Sequence, residues 1–497
     1  MKISLSDIKT KTGIGFGTSG VRGLVTELSD YVCYGYTKAF VEFLGKKNDL
    51  TQGKIAIAGD LRKSTKRIME VVVRAIEDEG LTVVNCGRIP TPAVTLYGVV
   101  EGIPSIMITG SHIPDDRNGI KYNLSSREII KEDEEMITAL GVEIDEDLFG
   151  EKGNLKERGE LPAVEKEAEE IYKKRYLDFF EAGLLKNKKI GLYGHSAVGR
   201  EIIEEVLQNL EAEVIRLDFS DSFVSVDTEV VEVELVKKGR DWSEKYGLDA
   251  IVTTDGDSDR PLMADEKGRW LRADTSGIVV AKFLGAKVAV VPVSCNTALE
   301  KSGVVEKTKR VKVGSPYVVA EMMELMAKGE EKVIGYEANG GFLIGNGFEK
   351  EGKRLSQLLT RDALIVLLSI LALAKKGKVS ETVAGLPQRF TSSGSVKGFS
   401  TNLGLKILEG LMRGSVEEQK EKIAKALGEG FGEIMEINVL DGLRITFKNE
   451  RVVHFRPSRN APEFRNYTEA ESEEEAKILS EKGKGVIERW LREEGLS

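Results

Sequence analysis

Apolar and polar positions along the chain fall into a repeated strand and helix pattern. Residues 54–58 alternate as a strand, Ser64 opens a helical pattern that runs to about Glu79, and residues 81–84 are apolar and β-branched, which predicts a βαβ unit. The apolar run 104–108 predicts a further buried strand, followed by Gly, Pro and Asn-Gly turn signals before Lys121. A second pattern starts at Lys189, with a strand over 189–193, the turn Gly194-His195-Ser196, a helix to Leu210 and a strand over 213–217. A third places strands over 249–254 and 332–334, and the run 363–374 predicts a buried helix. Between the first two patterns lies an acidic stretch, 131–170, whose Gly150, Gly153, Gly159 and Pro162 predict helical tails and a linker. Residues 375–379 lead to a last domain, in which 443–447 and 451–456 flank a polar turn as a hairpin and 472–494 form an amphipathic helix.

Length and charge narrow the function classes. A chain of 497 residues is too long for one core and predicts three or four domains. Its 72 basic and 81 acidic residues give a net charge of −9, which excludes a nucleic-acid backbone as the expected partner and leaves an anionic substrate dependent on local positive pockets. Cys33, Cys86 and Cys295 lie far apart without zinc or disulfide spacing, so they read as core residues of a protein in a reducing, cytoplasmic compartment. The start of the chain has no signal-peptide pattern, and 363–374 is shorter than the roughly 20 residues that span a bilayer, so no membrane is expected as a partner.

Five stretches carry candidate chemistry, most of them after predicted strands. The loop Thr109-Gly110-Ser111-His112-Ile113-Pro114 delivers a serine at a strand's carboxyl end, beside His112 and within reach of Lys121. Such a hydroxyl can be a nucleophile or can carry a phosphate, because positive neighbours offset the added charge of about −1.5 to −2. Near the N-terminus, Gly15-Phe16-Gly17-Thr18-Ser19-Gly20-Val21-Arg22-Gly23 lets backbone N–H groups approach an anion while Arg22 adds a fork of donors. The turn Asp255-Gly256-Asp257-Ser258-Asp259-Arg260 converges carboxylates on one hard cation, with magnesium the natural choice. An EF-hand is excluded, since Arg260 stands at the sixth position, where that loop needs glycine, and a strand precedes the turn. Glu337 and Asn339, in Gly335-Tyr336-Glu337-Ala338-Asn339-Gly340-Gly341, suit sugar hydroxyls. Arg456-Pro457-Ser458-Arg459-Asn460, with Arg465, makes a phosphate clamp. His195 shapes a strand-to-helix turn, with catalysis the alternative.

In this order the motifs closely resemble those of the α-D-phosphohexomutase family over essentially the whole chain. The serine loop is similar to that family's Thr-Ala-Ser-His-Asn-Pro, residues 255–260 to Asp-Gly-Asp-x-Asp-Arg, 336–341 to Gly-Glu-x-Ser-Gly, and 456–465 to Arg-x-Ser-Gly-Thr-Glu-Pro. The resemblance implies three similar α/β domains with mixed sheets, at 1–150, 160–254 and 255–374, plus a smaller C-terminal α+β domain at 380–497, around a central cleft. It implies a phosphoserine at Ser111, Mg²⁺ held by Ser111 phosphate with Asp255, Asp257 and Asp259, acid/base neighbours in Arg22 and Lys121, and support of the phosphoryl group by His112 and Arg260. Glu337 and Asn339 would bind the sugar, and Arg456, Ser458, Asn460 and Arg465 the distal phosphate. The implied reaction interconverts hexose 1- and 6-phosphates through a hexose 1,6-bisphosphate, in a monomer or homodimer.

Four departures from the family patterns stand out, Gly110 and Ile113 for Ala and Asn, Asn339 for Ser, and Arg459-Asn460-Ala461 for Gly-Thr-Glu, of which those in the sugar and phosphate turns bear on substrate choice. The altered turns are similar to those of phosphomannomutase members, with phosphoglucomutase, phosphoglucosamine mutase or a non-catalytic phosphosugar-binding paralogue as alternatives. Arg459 is expected to add a charge contact to the clamp.

Overall fold

Parallel strands covered on both faces need unbroken apolar runs, and three sheets in this chain are built on such runs. The computed structural model describes residues 2–458 and 463–493. In the first sheet, β1 (Gly15–Phe16), β2 (Val21–Leu24), β3 (Lys54–Gly59), β4 (Thr82–Asn85), β5 (Ser105–Ile108) and β6 (Arg117–Asn123) lie in the order β1-β2-β6-β5-β3-β4. β3 is parallel to β4 and β5, whereas β6 returns antiparallel to β5. Helix α1 (Thr65–Glu77) joins β3 to β4 and buries Ile68, Val72 and Ile76, each worth about 1.5–3 kcal/mol. Ser64 does not cap it as expected; its hydroxyl instead accepts from Asn118 Nδ2 at 2.8 Å.

The second sheet, β7 (Lys189–His195), β8 (Glu213–Phe219), β9 (Ala250–Thr254) and β10 (Pro261–Ala264), has the order β8-β7-β9-β10. The third, β11 (Val288–Pro292), β12 (Lys307–Val311), β13 (Val333–Tyr336) and β14 (Phe342–Ile344), has the order β12-β11-β13-β14. Each repeats the arrangement β4-β3-β5-β6 of the first sheet, with a central parallel strand followed by an antiparallel return. Helix α2 (Ala363–Leu373) is buried almost all round, as its continuous apolar sequence predicts.

The last sheet is antiparallel, β15 (Phe390–Lys397), β16 (Ile434–Asn438), β17 (Leu443–Phe447), β18 (Val452–Pro457) and β19 (Glu463–Ala470), in the order β15-β19-β18-β17-β16. Its core includes Phe447, Phe455, Phe464 and Trp490, the last from helix α3 (Glu473–Glu493). Three similar α/β domains and a smaller C-terminal α+β domain are thus present, as expected.

Three expectations need correction. The boundary at 254/255 cannot stand, because β9 and β10 pair across the acidic turn and place it inside the second sheet. The stretch 131–170 has the expected helical tail, Lys131–Ala139, but is not otherwise all linker, since Gly141–Glu143 pairs as a strand with Lys2–Ser4. The chain also divides into two compact units, 1–290 with 304–307 and 314–385, and 291–303 with 308–313 and 386–497, so the C-terminal unit includes pieces from before residue 380. Buried charge explains that grouping. Within the C-terminal unit, the Glu469 carboxylate accepts from Thr297 N–H at 3.1 Å and from Arg389 Nε at 2.6 Å, while Arg310 donates to the Cys295 carbonyl at 2.7 Å.

Candidate active site

The repeated sheet puts three loops at one equivalent station, after the carboxyl end of the central parallel strand and before the antiparallel return. They are residues 109–116 between β5 and β6, 255–260 between β9 and β10, and 337–341 between β13 and β14. Carboxyl ends of parallel strands are where open α/β sheets gather ligands.

In the first loop, Ser111 is fully buried and has φ +56°, a left-handed conformation costing a non-glycine residue about 1–3 kcal/mol. Surrounding contacts hold it there. Ser111 N–H donates to Thr109 Oγ1 at 2.7 Å, and that hydroxyl donates to Asp60 Oδ2 at 2.8 Å. Arg62 donates to Asp60 Oδ2 through Nε, to the carbonyls of Pro114 and Arg117 through Nη1, and to those of Ser111 and Ile113 through Nη2, at 2.7 to 3.3 Å. Its guanidinium lies 3.8 Å from the centroid of the Phe223 ring. A Cβ on Gly110 would meet that guanidinium carbon at 2.7 Å, which accounts for glycine where alanine is usual.

In the second loop, Asp255, Asp257 and Asp259 are fully buried, with a carboxylate oxygen from each lying within 4.8 Å of the others. Ser111 Oγ donates to Asp255 Oδ2 at 2.6 Å, which joins the serine loop to the acidic turn. Lys121 Nζ, from β6, donates to Asp257 Oδ2 at 2.5 Å and to Asp259 Oδ2 at 2.6 Å. Thr91 also donates to Asp257 Oδ2, and Arg361 Nε to Asp259 Oδ2 at 3.1 Å. Among the described residues, Asp257 Oδ1 and Asp259 Oδ1 are buried without a hydrogen-bond partner. Buried acceptors without a hydrogen bond, in a triad with carboxylate oxygens this close together, fit a hard divalent cation. Burial, Asp257 and Asp259 push the Asp255 carboxyl well above the carboxylate range. Burial acts the same way on Asp257 and Asp259, but Lys121 overrides it at the first and Arg361, with Lys121, at the second, so both stay below that range.

Positive groups surround this pair of loops. Arg260 Nη1 lies 3.0 Å from His112 Nδ1, and Arg260 first, then burial and Arg22, push the imidazole down to about 2. His112 is therefore neutral, with Nδ1 accepting from Arg260 and the proton assigned to Nε2. Arg22 Nε and Nη2 are buried without a partner among the described residues, donors that a phosphate oxygen would satisfy. Burial, then Arg260 and Arg361, push its guanidinium down to about 10.

In the third loop, Glu337 Oε2 accepts from Arg361 Nη1 at 3.2 Å. Asn339 Oδ1 accepts from Gly341 N–H at 3.0 Å, which orients the side chain and leaves its amide NH₂ and one lone pair of Oδ1 for a ligand.

Models of the phosphoglucomutase/phosphomannomutase α/β/α domains I, II and III match residues 13–147, 170–268 and 273–390. A phosphomannomutase of Salmonella muenchen is 38% identical over 95% of both chains, and one of Sinorhizobium fredii 37% identical over 96% of this chain and 99% of its own. The chain belongs to the phosphoglucomutase/phosphomannomutase family. As a phosphohexomutase it is an isomerase that moves a phosphoryl group within a hexose phosphate. Its fold matches the solved structure of a putative phosphomannomutase from Thermus thermophilus, with TM-score 0.71 and 18% identity over 96% of this chain and 99% of that one.

In this phosphohexomutase the structure gathers Ser111, His112, Lys121, the three aspartates and Arg260, and links Glu337 to them through Arg361. The expected clamp lies in the C-terminal unit. There Arg456, on β18, stands opposite Arg465, on β19, and these like charges are held by separate acids, Asp441 at 2.9 Å from Arg456 Nε and Glu463 for Arg465. Ser458 N–H donates to the Glu463 carbonyl at 2.9 Å. Asn460 and Arg459 lie outside the described residues. His195 has the structural role: its Nε2 lies 2.8 Å from the Thr254 carbonyl.

Sequence reasoning missed Arg62, Thr91 and Arg361. Arg361 did carry a signal. It precedes the N-cap Asp362 of an apolar helix, where a cation opposes the helix dipole, and such local conflicts mark functional positions. Among the described residues no helix is long and apolar enough to cross a membrane.

Proposed function

We propose that the chain is a phosphomannomutase, interconverting mannose 1-phosphate and mannose 6-phosphate with Ser111 as phosphoserine. The observation that carries the reading is the 2.6 Å contact of Ser111 Oγ with Asp255 Oδ2 inside a buried acidic triad that keeps two unshared oxygens. Asp255, Asp257 and Asp259, with a phosphoserine oxygen, would hold Mg²⁺, which when bound neutralises charge on the transferring phosphoryl group.

The phosphoryl group passes from Ser111 Oγ to the free sugar hydroxyl: the P–O bond to serine breaks, the P–O bond to sugar forms, and the proton lost by the sugar hydroxyl is balanced by the one gained by Ser111 Oγ. Hexose 1,6-bisphosphate results, turns round, and returns its other phosphoryl group to Ser111. Arg22 and Lys121 meet the charge that spreads over the phosphoryl oxygens and stand beside the oxygens that lose and gain a proton. Neutral His112 and Arg260 line the same place. Glu337 and the Asn339 amide hold the sugar in either orientation, while Arg456, Ser458, Asn460 and Arg465 hold the phosphate that is not reacting. Identity of 37 and 38% over nearly the whole chain to phosphomannomutases favours mannose over glucose and glucosamine.

The test is conversion of mannose 1-phosphate and glucose 1-phosphate to their 6-phosphates, with Mg²⁺ and a trace of hexose 1,6-bisphosphate, and free phosphate scored in parallel. Isomerisation with higher kcat/KM for mannose 1-phosphate is expected. Preference for glucose 1-phosphate would overturn the substrate, and phosphate release in place of isomerisation would overturn the mechanism.

A further inference from the structure

Arg361 sits where two carboxylates of different expected duty come together. It is 2% exposed and directly precedes α2, whose N-cap, Asp362, accepts from Leu364 N–H at 3.2 Å and from Tyr172 Oη at 2.8 Å. The backbone beside it is thus anchored twice. The side chain lies over Gly341, where a Cβ would stand 2.4 Å from Arg361 Cδ, so the sugar turn is shaped to admit it. From there Nε donates to Asp259 Oδ2 at 3.1 Å, Nη2 makes an ion-pair contact with the same oxygen at 3.0 Å, and Nη1 donates to Glu337 Oε2 at 3.2 Å.

What the fork leaves over is as informative as what it holds. On Asp259 it shares Oδ2 with Lys121, and Oδ1 stays without a hydrogen-bond partner among the described residues. On Glu337 it takes Oε2, and no other side chain among the described residues hydrogen-bonds that carboxylate. One planar cation therefore ties Glu337 to Asp259, which Lys121 also holds, and leaves one oxygen of each without a side-chain hydrogen bond among the described residues; the rigid fork fixes the orientation of Glu337 in a way that the point charge of an ammonium does not.

The geometry points to Arg361 as a positioning residue of the mutase reaction: it aims Glu337 at the sugar hydroxyls and tempers the charge of the cation turn through Asp259. This rests on the reading above, in which Glu337 contacts sugar and Asp259 belongs to the cation site. Two effects follow. Loss of the fork misplaces Glu337 and weakens sugar binding. Loss of the charge leaves the aspartates more negative, so a divalent cation binds more tightly, whereas mere loosening of the site would bind it less tightly.

The experiment compares wild type, Arg361→Lys, Arg361→Gln and Glu337→Gln, with folding of each checked by its thermal transition. KM for mannose 1-phosphate and the Mg²⁺ concentration for half-maximal rate are read for each, and Mg²⁺ binding to the substrate-free protein is read by calorimetric titration, independently of turnover. Arg361→Lys, which keeps the charge, is expected to raise KM about tenfold and leave half-saturation by Mg²⁺ within about twofold. Arg361→Gln is expected to raise KM at least as much and to lower the Mg²⁺ requirement about threefold or more. If Glu337→Gln raises KM and Arg361→Lys does not, the positioning role is wrong. A higher Mg²⁺ requirement in Arg361→Gln overturns the electrostatic part. An unchanged KM in Glu337→Gln instead overturns the reading of the sugar turn on which the inference stands.

Discussion

The acidic turn and the Glu337 turn occupy the same station in two successive sheets, yet they are stabilised in opposite ways. Residues 255–260 bring three buried carboxylates but only one cation of their own, Arg260, 3.8 to 3.9 Å from Asp259 and Asp255, so Lys121 from the first sheet and Arg361 from beside α2 supply further charge. Residues 337–341 bring one carboxylate, Glu337, paired with one guanidinium, and closure of the turn by the Asn339 side chain on Gly341 N–H does the rest. A repeated fold therefore gives a repeated place for a loop, while the charges delivered from outside that sheet decide which chemistry the place can hold. Three mutually close carboxylates without partners would each be expensive to bury, and the turn holds its shape only with cations around it.

The largest expected effect breaks the acidic side of this contrast. Asp257→Ala removes an unshared oxygen and the main anchor of Lys121, and kcat should fall by about 10³-fold or more with the sugar KM moved much less. Steady-state kinetics at saturating Mg²⁺ checks this, and a purely KM-based loss would reassign the turn to sugar binding.

The next effect uses groups outside both turns as controls. Burial holds His195 and His454 down at about 4, so their imidazoles are neutral in the folded chain at pH 7. A lowered folded value means that the unfolded chain takes up protons first. The stability is present above the ordinary value of 6.5 and is lost as pH falls from there to about 4, by about 3 kcal/mol for each histidine. Denaturant unfolding between pH 7 and 4, with the histidine ring signals followed by NMR, should show that loss. Titration of either ring near 6.5 in the folded protein would contradict it.

On the sugar side, Glu337→Gln should change KM and the mannose-to-glucose ratio of kcat/KM by about 10- to 100-fold, with kcat less affected. A fall in kcat alone would erase the distinction between the two turns.

The smallest effect concerns the serine loop. Gly110→Ala puts a methyl 2.7 Å from the Arg62 guanidinium carbon, and the shift it forces should cost about 1–3 kcal/mol in stability and about tenfold in kcat. An alanine variant as active and as stable as wild type would show that Arg62 is free to yield.

Much of this was legible in the chain. The run that became β3 read as a strand from its alternation and those that became β5, β7, β9 and β13 from their apolar residues, and the four motifs stood out because glycines, aspartates and arginines cluster in them. The boundary at 254/255 failed for a physical reason. A turn rich in aspartate reads as a break between domains, whereas β10 continues the same sheet as an antiparallel return. Arg62 was passed over because a lone arginine after a strand reads as a solvated charge; only the folded loop shows five donors satisfied by an acid and four carbonyls. Asn339 was legible as polar, but whether its oxygen faces a ligand or the Gly341 N–H depends on the turn's closure.

By itself, the sequence determined the α/β class, the buried helix, the family and the loops that carry chemistry, because local periodicity and short motifs are properties of neighbouring residues. Only the tertiary structure decided that Lys121 lies on Asp257 and Asp259, that Ser111 donates to Asp255, and that Arg361 spans Asp259 and Glu337. Those partners are separated by 24 to 144 positions, and pairing over such distances is set by how buried charges find their opposites once the sheets have packed, which no local pattern records.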